Sequence, residues 1–300
     1  MNKVMTSLEL DTSSHSLWDC CRFGHVDELM VITTKAAAAA LNMQDSEGRT
    51  GLFLACDECQ LECVRLLLTH KDIDVNVANS NGVTPLNIAC GNGHSDIVRL
   101  LLTHKDIGTD GSIGVWAPLQ NACYRGHADT VTLLLTHKDI NVNVTDGSIG
   151  RTPLNTACAE GHTDIVRLLL THKDINVNVA DSIGRTPLNT ACASGYTEVV
   201  RLLLTHKDIG VNVADSGGRT PLYTACDNGH TEVVRLLSTH QDTDIISKIL
   251  RDVRFLIGSF IAFNKGHKES AKCLIKEMRT SSLLLILVLV AAFLYLLMAR

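Results

Sequence analysis

The chain has 300 residues, 45% of them hydrophobic, which is enough apolar material to build one or two folded domains. Its formal net charge of −5 at pH 7 excludes a protein that binds nucleic acid by general electrostatic attraction. The charge is unevenly distributed, because residues 265–279 hold five lysines and arginines against two glutamates.

The chain begins with a polar stretch before Leu17 that lacks the apolar segment of a secretory signal. We therefore expect its cysteines to be in a reducing cytosol. Seven of the eleven cysteines recur about once in 34 residues. Equivalent cysteines in neighbouring helical layers would lie roughly 8–10 Å apart, whereas the Cα atoms of a disulfide are closer than about 7 Å. The sequence therefore predicts buried, unpaired thiols at this recurring position: Cys21, Cys56, Cys90, Cys123, Cys158, Cys192 and Cys226.

A nine-residue phrase, GRTPLNTAC, occupies residues 150–158 and returns at 184–192. A third copy, in which Tyr223 replaces the asparagine, occupies residues 218–226. An enzyme site rarely repeats at a fixed interval, because catalysis needs different groups that converge on one point. A fixed period of 34 residues instead indicates one small structural unit that is stacked on itself.

The copy that begins near Asp181 predicts two helices. Thr186 is a favourable N-cap and Pro187 suits the first helical position, so a first helix begins here. Gly195 provides the left-handed conformation that ends it. Thr197 is predicted to cap a second helix with a broad apolar face. Neither helix can bury its apolar face alone, so the sequence predicts a stack of such pairs.

The full pattern D-x-x-G-R-T-P-L-N-x-A-C-x-x-G-H-T-x-V-V-R-L-L-L resembles the ankyrin repeat over roughly residues 16–242. The resemblance implies an all-α repeat solenoid, in which each unit is a β-hairpin loop followed by two antiparallel helices. It also implies a protein that binds other proteins through hairpin tips and the first helices. The markers are Thr-Pro-Leu triplets or close variants at residues 84–86, 117–119, 152–154, 186–188 and 220–222, and Gly-His pairs at 24–25, 93–94, 126–127, 161–162 and 229–230.

The sequence departs from the family pattern in three ways. The histidine that usually follows Thr-Pro-Leu is replaced by an amide or tyrosine side chain, which alters the hydrogen bond that holds the hairpin. The tract LLLTHKDI adds one residue to the usual period. The unit at Gly48 has Gly51 in place of proline and Cys59-Gln60 in place of Gly-His, so we expect it to pack more loosely.

These patterns divide the chain into four parts. Residues 1–44 form a tail and a capping half-repeat, which begins at Leu17. Residues 45–243 form about six repeats. Residues 244–280 form a degenerate capping repeat and a basic juxtamembrane segment. Residues 283–299 form a membrane helix.

The run from Leu283 to Ala299 consists of 17 apolar residues without interruption. As a helix it would span about 25 Å, the lower limit for crossing a bilayer. The basic segment at 265–279 predicts a single-pass protein whose amino-terminal bulk lies in the cytosol, at the endoplasmic reticulum or the mitochondrial outer membrane. A buried final helix is the alternative.

The sequence predicts no catalytic residues, no metal, no cofactor and no small-molecule substrate. It contains no phosphate-binding glycine loop, nucleophile elbow or kinase signature. Most of the thirteen histidines fall at repeated positions, about one layer apart, too far to share a metal. Cys56 and Cys59 have zinc-like spacing, but Cys56 belongs to the buried column and no second pair follows.

If the repeats build a scaffold, recognition falls to the positions that vary between copies. One unit combines Trp116, Tyr124 and Arg125, residue types that are enriched in binding hot spots. The alternative is that Trp116 patches an irregular hairpin while the other two are merely solvated. With variable or turn positions of the next units, the predicted partner-binding residues are Trp116, Tyr124, Arg125, Arg151, Glu160 and Arg185.

The favoured function is a membrane-anchored scaffold that recruits a protein partner. The first alternative is a soluble adaptor whose apolar tail binds a partner or acts as a degradation signal. The second is an accessory part of a channel or acyltransferase, for which one span is too few.

Overall fold

The computed structural model describes residues 16–35, 38–110 and 116–240. These residues form α-helices and loops, and none of them lies in a β-strand. No helix in these ranges has the length and apolar character that crossing a membrane requires. The capping repeat predicted at 244–280 and the membrane helix predicted at 283–299 lie outside the described residues.

The chain divides into two compact units, and the first comprises residues 1–148. In it, the first helices of successive repeats pack on one another, and the second helices form a parallel layer behind them. The segment predicted to be a capping half-repeat contains both helices of a pair, α1 and α2. The helices are α1 Leu17–Phe23, α2 Val26–Lys35, α3 Ala38–Leu41, α4 Gly51–Asp57, α5 Leu61–Leu67, α6 Pro85–Asn92, α7 Ser95–Leu101, α8 Pro118–Arg125 and α9 Ala128–Leu135.

The second unit comprises residues 149–300 and contains three described helix pairs. Its first helices, α10, α12 and α14, pack in order, as do its second helices, α11, α13 and α15. With the three pairs from α4 to α9, the described residues from α4 to α15 contain six helix pairs. The helices are α10 Pro153–Glu160, α11 Thr163–Leu170, α12 Pro187–Ser194, α13 Thr197–Leu204, α14 Pro221–Asp227 and α15 Thr231–Thr239.

Four of the first helices in the described residues, α6, α10, α12 and α14, begin at a threonine followed by proline, as predicted. At α12 the Thr186 hydroxyl accepts a hydrogen bond from the Asn189 backbone N–H, and the side-chain Oδ1 of Asn189 accepts one from the Thr186 N–H, both at 3.3 Å. This reciprocal pair is a capping box. Asn189 therefore helps to cap its own helix. The replacement of the family's usual histidine by asparagine did not by itself predict this role.

The second helices begin one residue earlier in the sequence than predicted. Thr197 is the first helical residue of α13, and Tyr196 is its N-cap. The Tyr196 carbonyl accepts the first helical hydrogen bond, from the Val200 N–H at 3.0 Å. The prediction that Thr197 caps this helix was wrong, because the chain turns into helical geometry directly after the Gly195 turn.

The predicted β-hairpins are tight turns without a strand ladder in the described residues. At Asp181, the N–H bonds the Arg185 carbonyl and the Gly184 N–H bonds the Asp181 carbonyl, both at 2.9 Å. A single bond, from the Ser182 N–H to the Ile149 carbonyl at 2.9 Å, joins this turn to the previous one. One bond per turn joins the loops but does not define a strand.

At four left-handed turns, the side chain that directly follows the turn bonds the backbone of the previous repeat. Nε2 of His94 lies 3.2 Å from the Asp57 carbonyl, and Nε2 of His230 lies 3.0 Å from the Ala193 carbonyl. Since a carbonyl oxygen only accepts, the imidazole donates. In the unit that begins at Gly48, Gln60 replaces this histidine, and its side-chain amide donates to the equivalent backbone carbonyl, that of Arg22, at 3.2 Å. The amide and the imidazole therefore do the same work.

Asparagines in the loops after the second helices make a further link between repeats. Asn76 donates to the Asp106 carbonyl at 2.6 Å and accepts from the Gly108 N–H at 2.8 Å. In the second unit, Asn178 makes the same two bonds, at the same two distances, to Asp208 and Gly210. Both ends of one amide group thus hold the backbone of the following loop.

The recurring cysteines are buried, as predicted, and none of the ten cysteines of the described residues forms a disulfide. Burial raises the pKa of the Cys158 and Cys192 thiols well above the usual value. A protonated, buried thiol behaves as a small apolar side chain. The cysteine column therefore fills the space between the first helices.

The unit at Gly48 is not looser than its neighbours in its first helix. Every residue of α4 from Gly51 to Cys56 is buried, and the Thr50 hydroxyl caps the helix through the Phe53 N–H at 3.1 Å. A Cβ atom at Gly51 would lie 2.9 Å from Sγ of Cys21. Glycine replaces proline here because the neighbouring layer leaves no room for a side chain.

We predict that Gly195→Ala lowers the free energy of unfolding by more than Gly218→Ala does. Both glycines have a φ of 75°, so each alanine is strained by about 1–2 kcal/mol. At Gly195 the added Cβ would also lie 2.6 Å from Cε1 of His230, whereas nothing lies within 4 Å at Gly218. Displacing His230 breaks its bond to Ala193, which adds about 1 kcal/mol.

The free energy of unfolding of both variants is measured by urea denaturation, with far-ultraviolet circular dichroism as the signal. Equal losses of stability in the two variants would contradict the proposed role of the His230 link.

Candidate protein-binding surface

The structure brings together three of the predicted binding residues in the first unit. The rings of Trp116 and Tyr124 meet edge to face, with centroids 4.7 Å apart and planes at 72°. The Arg125 guanidinium carbon lies 5.6 Å from the centroid of the Tyr124 ring. An edge-to-face pair with a cation over one ring is a favourable arrangement. We call these three residues the aromatic cluster.

The ends of helix α8 position the aromatic cluster. Trp116 lies two residues before the helix, and Tyr124 and Arg125 are its last two residues. The Trp116 carbonyl accepts a hydrogen bond from the Asn87 side chain of the previous repeat. The next residue, Ala117, donates its N–H to Oε1 of Gln120 at 3.2 Å. The backbone that carries Trp116 is therefore held on both sides.

The cluster is accessible although its backbone is fixed. Tyr124 is 38% exposed, Arg125 is exposed and Trp116 is half-buried. The alternative prediction, in which Trp116 patches an irregular hairpin, concerns residues 111–115, which lie outside the described residues. In the described part, the Trp116 ring packs against Tyr124 at the surface. Residue types suited to binding thus lie together in a preformed arrangement.

Arg125 differs from most of the other arginines in its charge environment. It forms no ion pair with a carboxylate in the described ranges, and its ring contact is with Tyr124. A cation held over an aromatic ring, without a neighbouring anion, remains available to a negative group of a partner.

The three other predicted residues lie in the second unit, where they do not form one cluster. Arg151 is half-buried before α10, and Glu160 is exposed at the other end of that helix. Arg185 is half-buried in the turn before α12, with its Nε 4.0 Å from Oδ2 of Asp215. Their role in partner binding stays a prediction.

The arginine at the turn position also stabilises the turn itself. Asp215 is almost fully buried, and Arg219 approaches it with Nη2 at 2.8 Å and Nε at 2.9 Å. Asp45 and Arg49 make the same pair, at 2.9 Å for both nitrogens. This internal pairing competes with partner binding at the equivalent arginines.

One repeat shows what happens when this arginine is absent. Val83 occupies its place, and the turn residue is the neutral Asn79 instead of aspartate. Oδ1 of Asn79 still accepts the N–H groups of Asn81 and Val83, both at 3.0 Å. The turn keeps its hydrogen bonds but loses both charges together, which indicates that the arginine neutralises the aspartate.

The paired aspartates have lowered pKa values. Burial alone would raise the pKa of Asp215, but the Arg219 N–H, the Arg219 guanidinium and the Gly217 N–H outweigh it, so the pKa is below its ordinary value. At Asp45 the same balance of burial against bonds from Arg49 and the Glu47 N–H also lowers the pKa.

Two exposed residues at the ends of first helices were not among the predicted binding residues. Phe23 is 61% exposed, and Glu58 is exposed and forms no ion pair in the described part of the chain. Both occupy the position that Arg125 occupies in its own repeat. The variability of that position between repeats indicates a binding role, but the sequence alone does not single out any one residue at it.

The described residues contain no group of three or more histidine, cysteine or acidic side chains that could hold a metal ion. Cys63 lies beside the Cys20 carbonyl, at 3.7 Å, and Cys59 is exposed. Cys56 is fully buried, so the two cysteines with zinc-like spacing are in different environments.

The chain is similar to known proteins of one family. The family model described as ankyrin repeats matches in three copies, over residues 17–113, 109–181 and 174–249. The crystal structure of EF0377, an ankyrin repeat protein, is 26% identical, with a TM-score of 0.58 over 64% of this chain and 98% of that one. The human ASB11 ankyrin repeat domain shares the fold at 24% identity, with a TM-score of 0.65 over 77% of this chain and 99% of that one. No curated protein sequence matches.

We predict that the free energy of unfolding falls less steeply with decreasing pH in the double variant Asp45→Asn, Asp215→Asn than in the wild-type chain. A carboxylate with a lowered folded pKa contributes stability that is fully present above the unfolded value, about 3.9, and is lost as the pH falls through the folded value. The wild-type chain should therefore lose stability steeply below about pH 4, and the double variant less steeply.

The measurement is urea denaturation at a series of pH values between about 2 and 7. The matched control is Asp208→Asn, since Asp208 is exposed and forms no ion pair in the described ranges. If the free energy of unfolding falls as steeply below about pH 4 in the double variant as in the wild type, these ion pairs do not contribute to stability.

Proposed function

Because the chain belongs to the ankyrin repeat family, whose repeats are protein–protein interaction domains, we propose that it is a membrane-anchored scaffold that recruits a protein partner. The observation that carries the recruiting role is the aromatic cluster. Tyr124 and Arg125 are exposed at the end of helix α8, where Tyr124 packs on Trp116 and Arg125 lies over the Tyr124 ring. The partner-binding surface includes this cluster.

The scaffold acts by surface complementarity. Ankyrin repeats are typically non-enzymatic interaction modules, and the aromatic cluster offers contact area with little conformational entropy to lose. Tryptophan, tyrosine and arginine are the residue types that most often dominate binding energy at interfaces. The centre of the partner's interface therefore contacts Trp116 and Tyr124, and an acidic group of the partner lies near Arg125.

The anchoring part of the proposal rests on residues 283–299. Their 17 apolar side chains form a segment long enough to enter a bilayer as a helix. The basic residues at 265–279 lie on the amino-terminal side, where they meet anionic headgroups and hold the repeats in the cytosol. Anchoring at the endoplasmic reticulum or mitochondrial outer membrane raises the local concentration of the bound partner.

The same apolar run also supports a second candidate function. In a soluble adaptor, the run binds a partner or acts as a degradation signal, and the repeats recruit a protein in the same way. The two candidates differ only in where residues 283–299 reside, so one fractionation experiment separates them.

We predict that the full chain remains in the membrane pellet when cell membranes are extracted with alkaline carbonate. A spanning helix is held by the apolar transfer energy of its side chains, which carbonate does not weaken. A chain truncated after Ser282 serves as the control and should appear in the supernatant. Release of the full chain into the supernatant would favour the soluble adaptor instead.

We predict that Trp116→Ala with Arg125→Ala removes the recruited partner from the proteins that proximity labelling detects around the intact chain. Loss of a hot-spot pair typically weakens an interface by more than about 2 kcal/mol, or roughly thirtyfold. The melting temperature should change little, because Arg125 is exposed and Trp116 is half-buried.

The matched control is Arg99→Ala, an exposed arginine on the second helix α7 of the same unit. It should leave the neighbours unchanged. Unfolding of the double variant would instead assign Trp116 to stabilising its turn, and unchanged labelling would remove the cluster from the binding surface.

A further inference from the structure

Four exposed side chains occupy equivalent positions at the ends of the first helices in the first unit. Each directly precedes the left-handed turn of its repeat, at Gly24, Cys59, Gly93 or Gly126. We call them the helix-end row: Phe23, Glu58, Asn92 and Arg125. Their order follows the packing of the helices α1, α4, α6 and α8. The row continues the surface that carries the aromatic cluster.

The row has an anion and a cation two repeats apart, and neither is neutralised within the described residues. Glu58 and Arg125 form no ion pair there. Asn92, between them, donates to the Asp57 side chain at 3.0 Å and to its carbonyl at 3.2 Å. It therefore adds an ordered neutral polar group. Phe23 ends the row with an apolar ring that is 61% exposed.

The spacing of the row matches an extended polypeptide. Packed helices lie roughly 8–10 Å apart, and an extended chain advances about 3.3 Å per residue. Three peptide residues therefore span one repeat, and about six span the two repeats between Arg125 and Glu58. Charges at that spacing on a peptide would face both groups at once.

We propose that the helix-end row binds an extended segment of the partner protein. The segment has an acidic residue opposite Arg125 and a basic residue six positions away opposite Glu58, and both side chains lie on the same face of the extended chain. This assignment rests on the proposed recruiting function, and it does not depend on membrane anchoring. A polyanion such as RNA does not fit, because Glu58 and Asp57 would repel its phosphates.

The test is selection of a random twelve-residue peptide library displayed on phage, with the full chain in detergent as the target. Enriched peptides should carry an acidic and a basic residue six positions apart. Against Arg125→Glu, the acidic residue should be lost from the enriched set, and binding of the original peptides should weaken about tenfold, since repulsion replaces attraction.

The charge-exchanged variant, Arg125→Glu with Glu58→Arg, keeps the inference falsifiable. It should select peptides with the two charges exchanged at the same spacing, and Arg99→Glu should select the wild-type set. Circular dichroism should confirm that each variant is folded.

Absence of enrichment, enriched peptides without this spacing, or selections that Arg125→Glu leaves unchanged would each overturn the inference. These outcomes are separable from failure of the proposed function. If Trp116→Ala with Arg125→Ala still removes the recruited partner from the labelled proteins while the library shows no charge spacing, only the peptide assignment falls.

Discussion

The fold depends on a hydrogen bond from one repeat to the backbone of the repeat before it. The donor is a side chain directly after a left-handed turn, as in His94 and His127, and the acceptor is a carbonyl at the end of the preceding first helix. The ring of His127 approaches the turn of the previous repeat so closely that a Cβ atom at Gly93 would lie 2.6 Å from its Nδ1. The turn that His94 approaches differs, since Cys59 occupies the glycine position there with a φ of 59°. The same contact that sets the spacing of the layers thus also fixes glycine at Gly93. Architecture and sequence repetition therefore have one cause.

This division of labour determines where recognition is located. Positions that contact the next layer are buried and nearly constant, such as Leu154 and Leu188. The residue before the left-handed turn differs between repeats, and its side chain is exposed in Phe23 and Arg125. The turn arginines are an intermediate case, since Arg219 is partly exposed but serves a buried aspartate of its own turn. A variable position is therefore a better indicator of a binding role than a charged one.

Much of the fold follows from the sequence because its determinants are local. Thr186 and Pro187 start α12 through contacts within one turn, and the cysteine column follows from small side chains at a fixed period. The errors concern contacts between repeats. Gly51 looked like a weak point, yet the neighbouring Cys21 makes glycine the residue that fits. In the candidate site, the residue types were predictable, but the edge-to-face contact of Trp116 was not, since residues at opposite ends of a helix need not meet. The pairing of Arg185 with Asp215 likewise depends on the following repeat.

The asparagines in the outer loops have an implication for how the chain arose. Asn76 and Asn178 bond only backbone atoms of the loop that follows, a carbonyl and an N–H. Such a joint needs no particular functional group on the side chains of its neighbour, so a copied segment that carries the same loop fits beside its original with few compensating changes. A gene segment of one period can then be duplicated and tolerated at once. The identical nine-residue copies at 150–158 and 184–192 are the sequence pattern that duplication of such a module produces.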